Sequence, residues 1–252
     1  MSHFRIAGPA GTLSVDDGGQ DGLPVVLVHS LAGTSAHWDS QLQHLRSGRR
    51  AVALDLRGHG ASDPPRNHDY SISALAGDIA AVVDALGITN FALVGHSLGG
   101  GAALSYAGAH PDRVSRLFLL DPIGDGKQIP AEQAESFLNQ LEADFDNVIQ
   151  GYWTQIAGPN PKVRDRLLSD LRATPRETIE RAFPAGLRFD PDSALAAYHG
   201  PMLSVVTPNN DQAFSLHRLG HGFPHRIVTG TGHWIQLDRP EEVNRILDEF
   251  LE

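Results

Sequence analysis

Hydrophobic positions along this chain follow two periods. Between residues 1 and 121, short apolar runs take turns with stretches where apolar residues recur every three or four positions. Residues 4–6 and 12–15 read as a short antiparallel pair, followed by the turn-rich Asp16-Asp17-Gly18-Gly19-Gln20-Asp21-Gly22. Residues 25–29 read as a continuous apolar strand, the pattern expected when both faces of a sheet are covered, and 51–56, 91–94 and 116–120 read as further strands. Helical stretches fall between them. Residues 35–45 put Trp38, Leu42 and Leu45 on one face. Residues 72–86 do the same with Ile72, Leu75, Ile79, Val82, Val83 and Leu86 before Gly87 stops the helix. A third helix, 97–110, has Pro111 behind it. Strands alternating with helices predict a mostly parallel central sheet with helices on both faces, an α/β fold.

The pattern changes after Asp121. Only helical candidates follow, at 132–141, 145–156, 163–171, 176–183 and near Leu195, punctuated by Gly158-Pro159, Pro161, Pro175 and Pro184. Strand character returns at 202–206 and 226–228, and a helix at 241–251 is started by Pro240. The simplest organisation is an α/β core, 1–121 and 201–252, with a helical cap, 122–200, inserted between two strands.

Candidate chemistry gathers at strand ends. Phe91-Ala92-Leu93-Val94 leads into Gly95-His96-Ser97-Leu98-Gly99, a G-x-S-x-G sequence followed by Gly100-Gly101-Ala102-Ala103-Leu104. A serine on a sharp strand-to-helix turn is held in a strained conformation that keeps its hydroxyl in the open. Glycines two residues to either side let the helix pass close to the strand. The helix N-terminus points backbone N–H groups at any oxyanion formed there. Two later loops complete a constellation. The strand 202–206 runs into Thr207-Pro208-Asn209-Asn210-Asp211, and Gly230-Thr231-Gly232-His233-Trp234 follows a late strand. Ser97 is then the nucleophile, His233 the base and Asp211 the orienting acid. Asp121 is the alternative acid. Pro122 behind it is expected to keep its backbone extended, which suits a residue marking the way into the cap. In the loop Val28-His29-Ser30-Leu31-Ala32-Gly33-Thr34, the backbone N–H of Leu31 pairs with that of Leu98 as oxyanion donors.

These motifs, with Asp55-Leu56-Arg57-Gly58-His59-Gly60-Ala61-Ser62-Asp63, resemble those of the capped α/β-hydrolases over nearly the whole chain. The order Ser97…Asp211…His233 is that family's order of nucleophile, acid and histidine. The usual glycine after the loop histidine is Ser30 here, which leaves the shape of the oxyanion loop open. Ser30-Leu31-Ala32-Gly33-Thr34 is loosely similar to the loop of enol-lactone hydrolases, with an extra residue. The resemblance implies acyl transfer to water with no cofactor. Relatives with aspartate at the elbow form alkyl-enzyme esters, and Ser97 argues against that chemistry.

Composition narrows the partners. A net charge of −10 argues against nucleic acid or an anionic membrane, and the absence of cysteine excludes disulfides, thiol catalysis and zinc–thiolate sites. Met1-Ser2-His3-Phe4-Arg5 lacks a signal-peptide pattern, so a cytoplasmic monomer or homodimer acting on a small-molecule ester is expected. No metal site is expected, because His199, His217, His221 and His225 lack ligand spacing joined to carboxylates. His29, Ser30, His96, Trp153 and Trp234 are the candidates for lining a substrate pocket, although His29 and His59 are expected chiefly to hydrogen-bond loop backbone. Asp55, Arg57 and Asp63 are expected to brace a core turn. Phe137, Phe145, Tyr152 and Phe183 read mainly as the cap's own core. The leading function is hydrolysis of carboxylic esters with small to medium acyl groups. The alternatives are a carbon–carbon bond or enol-lactone hydrolase, with Arg188 the arginine to test, and a small-molecule receptor with little turnover.

Overall fold

A computed structural model of the protein describes residues 2–220 and 222–252. Its strands are β1 (Ser2–Ala7), β2 (Thr12–Gly18), β3 (Val25–Val28), β4 (Ala51–Leu54), β5 (Phe91–His96), β6 (Val114–Leu120), β7 (Met202–Val206) and β8 (His225–Ile227). They form one sheet in the order β1-β2-β4-β3-β5-β6-β7-β8. β1 and β2 pair antiparallel, β2 meets β4 antiparallel, and every later pairing is parallel.

The continuous apolar runs are explained by two cores, one on each face. Val26, Val28, Leu93, Leu117 and Leu119 point into one. Val25, Leu27, Val94, Phe118 and Leu120 point into the other. Alternate residues of one strand therefore feed different layers, and both sets must be apolar. The helices α2 (Ile72–Ala85) and α3 (Leu98–Ala109) cover the first face. α1 (Asp39–Leu45) and α10 (Pro240–Leu251) cover the second, α10 through Val243, Ile246, Leu247 and Leu251. Each such buried Leu, Ile or Val contributes about 1.5–3 kcal/mol relative to exposure. The expected helix at 35–45 is split: Ser35–Trp38 is a 3-10 turn that buries Trp38, and α1 begins only at Asp39.

Five helices lie between β6 and β7: α4 (Ala131–Ala143), α5 (Phe145–Ile156), α6 (Pro161–Ala173), α7 (Arg176–Leu187) and α8 (Asp192–Ala197). α8 lies against the sheet layer rather than over its rim. Ala194 packs on Gly108 of α3, and the Tyr198 hydroxyl donates to the Val114 carbonyl at 3.1 Å. The short α9 (Ile235–Asp238), absent from the sequence expectation, buries Ile235 and Gln236. Among the described residues no helix is long and apolar enough to cross a membrane.

Candidate active site

β3 is flanked by β4 and β5, so the strand order reverses beside it, and the loops after β3 and β5 diverge there. Such a switch point leaves a crevice at the carboxyl ends of the strands. Ser97 sits at that rim with φ 53° and ψ −119°, outside the regions ordinary residues occupy. The turn is tight enough that a Cβ on Gly95 would lie 2.5 Å from the Gly99 carbonyl oxygen. Leu98 is the first residue of α3, so its N–H has no partner within the helix.

The ring of His233 donates from Nδ1 to Oδ2 of Asp121 at 2.6 Å. Asp121 is 1% exposed and directly follows β6. Its carboxylate is held from the neighbouring strand end. Thr207, just after β7, donates its N–H to Oδ1 at 2.7 Å and its hydroxyl toward both oxygens at 3.2 Å. The Asp121 N–H donates to the Val205 carbonyl at 2.7 Å.

Asp211, the acid expected from sequence, lies elsewhere. A 3-10 turn at Pro208–Asn210 carries the chain away from His233. Arg218 clasps Asp211 with a two-pronged contact at 2.6 and 2.7 Å, and His217 donates to it at 3.0 Å. That guanidinium, with His217, holds the Asp211 carboxyl well below the usual carboxylate range. The expected extended backbone at Asp121 is also corrected, since its φ is +40°. Aspartate enters positive φ more readily than most residues, and the bonds to Val205 and Thr207 fix it there.

Ser97 and His233 line one cavity of about 380 Å³, with Ser30, Leu31, Leu98, Trp153 and Trp234. α5 and α7 roof it with Tyr152, Ile156, Ala182 and Phe183. Tyr152 and Phe183 also join Phe137 in an aromatic cluster, so the same rings serve the insert's core and the cavity wall. Burial, reinforced by the Asp121 carboxylate, raises the Tyr152 hydroxyl above its ordinary range.

His29 and His96, expected to line the pocket, do not. Both are fully buried behind it, and burial pushes both well below the usual imidazole range. His29 donates from Nδ1 to the Ser30 carbonyl and accepts from the Leu56 N–H, which ties the loop after β3 to the loop after β4. His96 donates from Nε2 to the His233 carbonyl at 2.9 Å and accepts from Gln236 at 3.1 Å. His59 donates to the Arg57 carbonyl, and burial pulls it down to about 4. Asp55 receives the N–H groups of Ser35 and Ala61, while Arg57 pairs with buried Asp78 and Asp63 receives the Thr12 N–H. Those contacts brace the turns behind the rim.

The expectation that His217 and His225 have no carboxylate beside them is corrected as well. Asp211, His217 and His225 offer ligand atoms within 4.8 Å of one another, and the two rings stack at 4.2 Å. Arg218 already neutralises that carboxylate, so the group reads as an ion-paired cluster. His221 lies outside the described residues, as does Met1.

Thr207, Gln236 and the backbone of residues 156–158 escaped the sequence reading. A threonine directly after a rim strand was the one available signal for Thr207. Gln236 sits on the short α9, whose periodicity is too brief to register.

Residues 24–175 match the model of the alpha/beta hydrolase fold family. The dihydrolipoyllysine-residue acetyltransferase component of an acetoin cleaving system from Pseudomonas putida is 29% identical over 93% of this chain, and the chain spans 65% of that relative's length. An sn-1-specific diacylglycerol lipase from Mus musculus is 27% identical over 90% of the chain and 80% of its own length. Among solved structures, an N-acyl homoserine lactone degrading enzyme superposes with a TM-score of 0.85 at 25% identity, covering 98% of this chain and 99% of its own.

Proposed function

Because the chain belongs to the alpha/beta hydrolase fold family, we propose that it is a serine hydrolase cleaving carboxylic esters of uncharged substrates with small to medium acyl groups. The observation that carries this reading is the His233–Asp121 pair, 2.6 Å apart, lining the same cavity as Ser97. His233 takes the Ser97 proton as Oγ attacks the ester carbonyl. The oxyanion receives the backbone N–H groups of Leu31 and Leu98. The tetrahedral intermediate collapses, and the leaving alkoxide takes the proton from His233 and departs as the alcohol. Water, deprotonated by His233, then attacks acyl-Ser97; the acid leaves, and Ser97 regains its proton. Asp121 keeps the Nδ1–H of His233 oriented and stabilises the cation that forms in each step.

The cavity supports an uncharged, modest-sized substrate. Its volume is near the lower end of the range of about 300–1,000 Å³ for small-molecule sites. Among the described residues its lining holds no lysine or arginine. A carboxylate-bearing enol lactone or diketone would leave its charge unpaired there, at a cost of several kcal/mol or more. Arg188, the one arginine that could have answered it, is exposed and lies outside the lining. A neutral lactone remains the second reading, favoured by the likeness to the lactone-degrading enzyme.

The test is a panel of p-nitrophenyl acetate, butyrate, octanoate and palmitate with an acyl homoserine lactone. We expect kcat/KM to peak at the short esters and Ser97→Ala to lose roughly 10³-fold or more. A maximum at palmitate overturns the size assignment. Unchanged turnover in Ser97→Ala overturns the mechanism. No turnover of any ester by wild-type protein, with slow stoichiometric binding instead, points to the receptor role.

A further inference from the structure

The helical insert does more than roof the cavity. Ile156 ends α5, so its carbonyl has no partner within the helix. It accepts the backbone N–H of His233 at 2.8 Å. Immediately beyond, the two backbones meet with no side chain between them. A Cβ on Gly158 would lie 2.3 Å from the Gly232 nitrogen, and a Cβ on Gly232 would lie 2.3 Å from both C and O of Ala157. Gly158 has φ +81°, which turns the chain sharply after α5.

The loop bearing His233 is otherwise fastened from the core. His96 donates to the His233 carbonyl, Asp238 receives the Gly232 N–H at 2.8 Å, and the Trp234 indole donates to Ser30 Oγ at 3.0 Å. The core thus secures the carbonyl of His233, and the insert secures its N–H. Other contacts hold the insert far from this loop, among them two on α7 and α6. Thr178 of α7 donates to the Gly58 carbonyl at 3.0 Å, and Asp170 of α6 lies 2.9 Å from Nε2 of His37.

We propose that residues 156–158 of the insert are a positioning element for the base, so that the register of α5 sets where the His233 imidazole stands between Asp121 and Ser97. This inference rests on the serine-hydrolase reading above. It makes the end of α5 a fixed part of the machinery.

The test compares Gly158→Ala and Gly232→Ala with Gly151→Ala, which lies within α5 where an added Cβ meets nothing within 4 Å. Gly232 has no positive φ, so its substitution probes the contact without backbone strain at that residue. Each variant is titrated with a fluorophosphonate to count competent sites, and kcat and KM are measured on the best ester per titrated site. Displacing a reacting group by about 1 Å can cost about 10²-fold, so both contact variants should lose about 10- to 100-fold in kcat with KM nearly unchanged. They should still titrate to completion, only more slowly, and Gly151→Ala should match wild type. The inference is overturned if either folded contact variant keeps its kcat per site, or if lost activity tracks lost titratable sites, which would mean unfolding alone. Should Gly158→Ala not fold, Gly232→Ala decides by the same criteria. A wild-type chain that neither labels nor turns over would instead sink the serine-hydrolase reading itself.

Discussion

β6 and β7 are neighbours in the sheet, and each is followed within a few residues by an aspartate. Their fates are opposite. Asp121 turns inward at once, is 1% exposed, and meets His233. Asp211 is carried outward by a 3-10 turn and meets a half-exposed arginine. Thr207 links the two regions: it belongs to the β7 end, yet its N–H and hydroxyl both serve Asp121. A carboxylate's role at such a rim is set by which way the chain leaves the strand, and by what the next strand end offers it.

The strongest way to break the contrast is to neutralise each acid in turn. Asparagine at the orienting position presents the wrong donor to Nδ1, and loss of the correct tautomer can cost about 10⁴-fold in kcat. Asp121→Asn should therefore be nearly inactive on the best ester, while Asp211→Asn should stay within about twofold of wild type. The reverse pattern would restore Asp211 as the acid and leave the His233–Asp121 contact without a catalytic purpose.

Much of this architecture is legible in the sequence. β3, β4 and β5 are buried at every position, so β3 and β4 are apolar throughout and β5 is apolar up to Gly95, and α2 displays its inward face at helical spacing. The elbow is legible because three requirements coincide in Gly95, Ser97 and Gly99. The direction of a loop is not legible, because it depends on contacts from distant residues. Asp121 takes φ +40° against the tendency Pro122 imposes, since Val205 and Thr207, more than 80 positions along the chain, bind it there. His29 and His96 mislead for a related reason. Residues adjacent to rim positions in sequence point behind the rim, where a histidine can satisfy two buried polar groups, both of them backbone for His29 and one backbone and one side chain for His96. The bond from His233 to Ile156 joins elements whose only local signal is the pair Gly158-Pro159, which reads as a plain helix stop.

Acid sharpens the comparison by separating the two regions. The outer cluster tolerates it, since Arg218 and His217 keep Asp211 ionised below the usual carboxylate range. The interior behind β3, β4 and β5 does not. His59 titrates at about 4 when folded, against about 6.5 for a free imidazole. Between those values the unfolded chain binds a proton that the folded chain refuses, so stability is full above about pH 6.5 and falls as pH drops toward 4. His59 alone accounts for about 3 kcal/mol over that window. Burial pushes His29 and His96 in the same direction. The melting temperature should hold steady above neutrality and drop steeply between pH 6.5 and 4.5. A level profile down to pH 4.5 would mean that these rings accept protons without cost.

The finest division between the two strand ends lies within Thr207 itself. Its backbone N–H makes the short bond to Oδ1 of Asp121, and no side-chain substitution removes that bond. The hydroxyl adds contacts of 3.2 Å to both oxygens, longer and shared, so its share is near the lower end for a bond to a charged group. Thr207→Val removes the hydroxyl at constant shape. An interaction of about 1.5 kcal/mol lost mainly in the transition state corresponds to roughly a 10-fold fall in kcat. Thr207→Ser restores the hydroxyl and should recover most of the rate. The effect should fall mainly on kcat rather than on KM for the same ester, because the hydroxyl is directed to Asp121. A valine variant as fast as wild type would assign the hold on Asp121 to the backbone alone. A serine variant as slow as valine would mean that the methyl of Thr207, a residue that lines the cavity, matters more than its hydroxyl.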